Sequence, residues 1–119
     1  MSDEVSWQVE LAVKPARLGE FRALTGEMVS ATRAERGVLS YQRFVSDDGA
    51  SVQVYERYAN SAAALAHLEN FVVQFGERYS ALVERKHFTV FGKPSDDLRR
   101  FLDRFGATYL KPLGDFAYW

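Results

Sequence analysis

The chain has 119 residues, 47% hydrophobic and 26% charged, a length and balance that fit one globular domain. It contains no cysteine, which excludes disulfides, cysteine-ligated zinc, iron–sulfur clusters and thiol nucleophiles. Fifteen Lys and Arg stand against sixteen Asp and Glu, a net charge of −1, so there is no basic surplus to recruit phosphate backbones or anionic lipid.

The opening Met1-Ser2-Asp3-Glu4 is acidic and leads into no apolar h-region, so no signal peptide is expected. No apolar run approaches the ~18 residues of a membrane span, and the absence of cysteine suits the cytoplasm. From Ser6 to Val13 apolar and polar residues alternate, with Trp7, Val9, Leu11 and Val13 on one face, which predicts a half-buried strand ended by Pro15. Leu18, Phe21, Thr25, Met28, Val29 and Thr32 then recur at helical spacing, and Gly37 is the expected left-handed cap. Val38–Val45 and Ser51–Tyr58 are rich in Val, Tyr and Phe and flank Asp47-Asp48-Gly49, which predicts a hairpin. In the first of these strands neither Leu39/Tyr41 nor Val38/Phe44 makes a clean face, which points to a bulge.

Asn60-Ser61 supplies N-cap chemistry for a second helix, whose stripe runs Leu65, Leu68, Val72, Phe75, Tyr79 and Leu82, with a break expected near Asn70-Phe71. Arg85–Phe91 reads as a fourth strand, closed by Gly92 and Pro94. Ser95-Asp96 caps a short helix with Leu98, Phe101, Leu102 and Phe105 facing inward, stopped at Gly106. The tail from Ala107 to Trp119 carries Tyr109, Leu110, Leu113, Phe116, Tyr118 and Trp119, too apolar to be left free, so it is expected to pack on its own domain or on a partner. The order strand–helix–strand–strand–helix–strand is that of an α+β, ferredoxin-like βαββαβ sandwich with an antiparallel sheet. The expected organisation is one domain over 1–119, with a core at about 5–92 and an extension at 93–119 that adds a helix and tail.

Val54-Tyr55-Glu56-Arg57-Tyr58, then Asn60-Ser61, then Ala63-Ala64-Leu65-Ala66-His67-Leu68 resemble the antibiotic biosynthesis monooxygenase family of the dimeric α+β barrel proteins. The family pattern is a strand ending aromatic–Glu–x–aromatic, followed by a capped helix with Ala-Leu-x-x-His-Leu. The resemblance implies a homodimer whose sheets face each other, with a pocket in each subunit between sheet and helices. It also implies oxidation of small phenols, quinols or anthrones by molecular oxygen without a cofactor. A haem-degrading branch shares the element order but relies on an asparagine, a tryptophan and a later histidine, and this chain has Val9, His67 and Glu77 at those places.

His67 lies at the shoulder of its helical stripe beside Phe71, placed either as a general base for a phenolic proton or as a structural helix residue. Glu56 shares strand parity with Val52 and Val54 and therefore points toward the helices, where a carboxylate needs a partner. It is expected either to orient His67 as its catalytic partner or to form a purely structural pair. Trp7, Tyr41, Tyr55 and Phe71 are the candidate substrate-binding residues, with core packing as the alternative. A metal held by Glu56, His67 and His87 is disfavoured, because His87 alternates with Phe88 and so points to the other side of the sheet. Beside the oxygenase stands a non-catalytic alternative, a dimeric barrel that binds a hydrophobic metabolite or serves in stress response or assembly.

Overall fold

The computed structural model describes residues 3–116. The elements are β1 (Val5–Val13), α1 (Leu18–Arg33), β2 (Val38–Val45), β3 (Ser51–Tyr58), α2 (Ser61–Gln74), α3 (Gly76–Leu82), β4 (Val83–Phe91), α4 (Asp96–Asp103) and β5 (Thr108–Leu110). The strands form one sheet in the order β2-β3-β1-β4-β5. The pairs among β1 to β4 are antiparallel, as expected, but β5 runs parallel to β4 and makes the sheet mixed. The fold is α+β and ferredoxin-like with one added strand and one added helix.

Strict alternation gives β1 two faces. Val5, Trp7, Val9, Leu11 and Val13 are buried beneath the helices, joined by Val52, Val54 and Tyr58 of β3 and by Phe88 and Val90 of β4. Phe21, Leu24 and Met28 of α1, Leu68 of α2, and Leu98 and Leu102 of α4 close the core from above. The opposite face carries Gln8, Gln53, Tyr55 and His87, and no helix among the described residues covers it. The expected bulge is present: the β2–β3 register shifts between Val38 and Ser40, after which Tyr41 pairs with Glu56 and Gln42 with Tyr55.

Asn60 caps α2 through its side chain, which accepts from Ala63 N–H at 2.9 Å, an arrangement worth about 1 kcal/mol. The helix breaks at Phe75-Gly76 rather than near Asn70-Phe71. Phe75 leaves helical geometry at φ −130°, while its N–H still donates to Phe71 and Val72 carbonyls. Gly37 is likewise not the cap of α1, which ends at Arg33 with Ala34 following. Its function is closer contact. At φ +81° the loop presses against α2 so tightly that a Cβ on Gly37 would stand 2.6 Å from the Ala63 Cβ. That approach brings the α1–β2 loop, with Glu35, alongside the next turn of α2, where His67 projects.

β4 begins at Val83, two residues before the expected start, because the chain leaves α3 directly into the sheet. The tail packs in part on its own domain: Thr108, Tyr109 and Leu110 extend the sheet beside Thr89, Val90 and Phe91. Leu113 and Phe116 remain exposed, and Tyr118 and Trp119 lie outside the described residues.

Candidate functional site

Sheet register builds the site. Trp7 of β1, Glu56 of β3 and Tyr41 of β2 pair side by side across three strands, and all point toward the helices. Tyr58 and Arg43 stand one pleat further on the same face. Over this polar row lie His67 and Phe71 of α2 and Tyr79 of α3, with Glu35 reaching in from the loop before β2.

Glu56 is the hub. Its Oε1 accepts from Trp7 Nε1–H at 2.9 Å and from the Tyr58 hydroxyl at 2.5 Å, and its Oε2 accepts from Arg43 Nη2–H at 2.5 Å. Glu56 is 5% exposed, and burial alone would push its carboxyl up. The Arg43 guanidinium, helped by His67 and Tyr58, outweighs that and holds it below the usual carboxylate range. Burial, then the adjacent Glu56 charge, drives the Tyr58 hydroxyl well above its ordinary value. Burial also pushes Tyr41 up to about 12, partly offset by Arg43. Both phenols are therefore held neutral, and Tyr58 donates to Glu56.

The imidazole is held differently from the expectation. His67, 3% exposed, donates from Nδ1–H to Glu35 Oε1 at 2.8 Å, whereas its Nε2 stands 3.8 Å from Glu56 Oε1, beyond hydrogen-bonding distance. The expected Glu56–His67 contact is present at ion-pair distance but is not a hydrogen bond, since Trp7 and Tyr58 donate to the nearer oxygen. Glu35 orients the imidazole, and with a carboxylate accepting at Nδ1, Nε2 is the nitrogen left to exchange a proton. Around the ring stand Tyr41 at 5.3 Å, edge-on, Tyr58 at 5.4 Å and Phe71 at 6.4 Å between centroids. Phe71 in turn meets Tyr79 edge-on at 5.1 Å.

Of the predicted substrate-binding residues, Tyr41 and Phe71 reach His67. Trp7 is not an open wall: it is 1% exposed, packs on Tyr58 at 4.7 Å and on Phe88 at 5.8 Å, and spends its N–H on Glu56. Tyr55 is a correction. It lies between Val54 and Glu56 in a period-two strand, so its ring is exposed on the uncovered face and far from His67. His87 is also exposed on that face, opposite Glu10, with the sheet between it and His67.

Sequence reasoning missed Glu35 and Arg43. Arg43 had a detectable signal, since it shares parity with Tyr41 on a strand that faces the helices. Glu35 had none, because only the Gly37 contact with α2 brings its loop to His67. A separate cleft of about 1250 Å3 lies where the N-terminus of α2, the ends of β4 and β5 and the tail converge, lined by Asn60, Ser61, Lys93 and Leu110 among others. It contains none of the residues around Glu56.

Comparison with known proteins places this geometry in context. A protein of Mycobacterium tuberculosis named "Putative monooxygenase Rv0793" is 32% identical over 82 residues, covering 65% of this chain and 81% of that protein. The crystal structure of MupZ from Pseudomonas fluorescens superposes with a TM-score of 0.88 at 20% identity, over 99% of this chain and 91% of that one. SnoaB of Streptomyces nogalater, described as a cofactor-independent oxygenase, gives a TM-score of 0.66 at 16% identity, over 79% of this chain and 96% of that one. At these identities the two structures establish the fold, and the near-complete match to MupZ extends it to α4 and β5. The profile of the antibiotic biosynthesis monooxygenase family matches residues 5–88, the span from β1 into β4 that supplies every side chain around Glu56 and His67, and the chain belongs to that family.

Proposed function

We propose that this protein is a cofactor-independent monooxygenase that oxidises a small phenol, quinol or anthrone-like aromatic with molecular oxygen, working as a homodimer. Family membership supports a monooxygenase-like activity, as do the names of Rv0793 and SnoaB. The observation that carries the reading is the His67–Glu35 pair at 2.8 Å, set among Tyr41, Tyr58 and Phe71. In this reading His67 Nε2 removes the acidic proton of the bound aromatic. The resulting anion passes one electron to oxygen, and the radical and superoxide combine into a peroxide. Loss of water from a methylene-derived peroxide leaves a carbonyl, so one O2 converts CH2 to C=O and releases H2O. Tyr41 and Phe71 flank the substrate, Glu35 holds the base, and Glu56 stays ionised as a fixed charge.

The dimer would form through the uncovered sheet face, where Tyr55 is 36% and Phe44 56% exposed among Gln8, Gln42 and Gln53. The binding-protein alternative draws on Glu56, whose hydrogen bonds to Trp7, Tyr58 and Arg43 are those of a structural hub. Oxygen uptake without added cofactor, against anthrones, naphthols and hydroquinones with a buffer blank for autoxidation, decides between them. The expected result is saturable uptake that His67→Ala lowers by about 10²–10⁴-fold. Uptake equal to the blank across the panel, or unchanged in His67→Ala, refutes the oxygenase or its base respectively.

A further inference from the structure

Arg43 has more hydrogen-bonding capacity than the protein uses. Its side chain is 8% exposed, and Nη2 donates to Glu56, yet Nε and Nη1 are buried with no acceptor among the described residues. The guanidinium carbon lies 3.5 Å from the centroid of the Tyr41 ring, a stacked cation–π contact. The Tyr41 hydroxyl, at the rim of the same stack, is buried beside the Thr32 side chain without a well-aligned hydrogen bond. Buried N–H and O–H groups that lack acceptors are destabilising, and unpaired ones in native proteins call for a specific reason. Here several belong to one stack that abuts His67, and Tyr41, Phe71 and Tyr79 around it are only partly buried.

We propose that Arg43 and Tyr41 form an anion anchor, so that the ligand of this site is an aromatic compound that binds through an oxygen bearing negative charge. The inference rests on the functional reading of this site and narrows its substrate class. Glu56 balances the Arg43 charge but engages Nη2 alone, so the guanidinium keeps unused N–H donors on its other edge. An oxyanion on the free edge gains charge-assisted hydrogen bonds, and the Tyr41 hydroxyl, held protonated, adds a neutral donor. Two ligand sources offer that oxygen, a ring carboxylate or an ionised ring hydroxyl.

The test is calorimetric binding of 2-naphthoate, 2-naphthol and the neutral 2-naphthamide to the full chain, with oxygen uptake recorded separately. Wild-type protein should bind one anionic form at least about tenfold tighter than the amide. Preference for 2-naphthoate identifies the carboxylate, and 2-naphthol affinity that rises with pH toward its ionisation identifies the phenolate. Arg43→Lys keeps a positive charge beside Glu56 but lacks the second N–H edge, and should reduce the preference to less than about threefold. Tyr41→Phe removes a hydroxyl whose Thr32 neighbour is poorly aligned, so it should melt at or above the wild-type temperature while anion affinity falls several-fold. A merely structural tyrosine would not produce that opposite pair of changes. Equal binding of amide and anions, binding of none of the three, or anion affinity unchanged in both variants overturns the anchor. Anion preference without oxygen uptake would sink the oxygenase and keep the anchor, and uptake without anion preference would do the reverse.

Discussion

Glu56→Gln is the sharpest test of what holds this core together. The substitution preserves shape but removes the charge that offsets Arg43, whose side chain is 8% exposed, and it places an amide NH2 where donors already converge. Glu56 accepts from Trp7, Tyr58 and Arg43, so the amide must turn its N–H groups toward the first two or toward the guanidinium, and either choice orphans a donor. Leaving one member of a buried ion pair uncompensated costs about 3–5 kcal/mol. For a chain of 119 residues that corresponds to a drop in Tm of about 10–20 °C. Differential scanning calorimetry at pH 7 measures it. The pH dependence adds a second check. The folded carboxyl is held below its ordinary value, so its stabilisation is complete above the unfolded pKa and disappears as pH falls through the folded one. The gap between wild type and variant should thus be widest near neutrality and shrink in acid below the ordinary carboxylate range. A loss of less than about 3 °C at pH 7 would show that the ion pair is not the support described here.

Three further outcomes follow from the same geometry. Glu35→Gln keeps a hydrogen-bonding side chain beside His67 but no longer fixes the proton on Nδ1, so kcat in the oxygen-uptake assay should fall on the order of 10²-fold with Tm nearly unchanged. An equal loss of kcat and of folded protein would reduce Glu35 to a structural tie. Gly92→Ala should cost about 1–3 kcal/mol in urea unfolding, since Gly92 has φ +111° and its Cβ would stand 2.9 Å from the Glu4 carbonyl oxygen; wild-type stability would contradict that close approach. For the proposed dimer through the open face, Tyr55→Glu should weaken self-association at least about tenfold in sedimentation velocity while kcat for oxygen uptake is unchanged. An unaltered dimer would move the interface away from the open face.

Much of this arrangement could be read from period-two patterning. The parity of Val52, Val54 and Glu56 was enough to send a carboxylate into the core, and the same parity, applied to Tyr55, places it outside. Tyr55 was misassigned because its chemistry suggested a pocket while its position did not. Arg43 shares parity with Tyr41, but the bulge after Val38 leaves the inward face of the strand undecided until the pairing with β3 is known. The helix break could be read from Gly76, the weakest helix former in the stretch, but the apolar stripe passing through it obscured the signal. Glu35 depends on a loop pressed against a helix by a glycine with positive φ, a tertiary fact with no local signature. β5 is three residues long and owes its conformation to the edge of β4 rather than to its own sequence.

The two carboxylates that flank His67 cannot do the same work. Glu56 accepts twice on Oε1 and once on Oε2, and protonating either oxygen would displace at least one of these donors, so it serves as a permanent charge. Glu35 makes one bond to the imidazole, and its side chain is 20% exposed, which lets it adjust as the ring gains or loses a proton. In the proposed reaction His67 takes its proton inside an apolar fold, where two groups face its ring. Glu35 holds Nδ1 toward the loop, and the Glu56–Arg43 pair sets a polar but nearly neutral field near Nε2. Arg43 therefore serves stability and chemistry at once. It neutralises the buried carboxylate that supports the sheet, and it stacks on the Tyr41 ring beside His67.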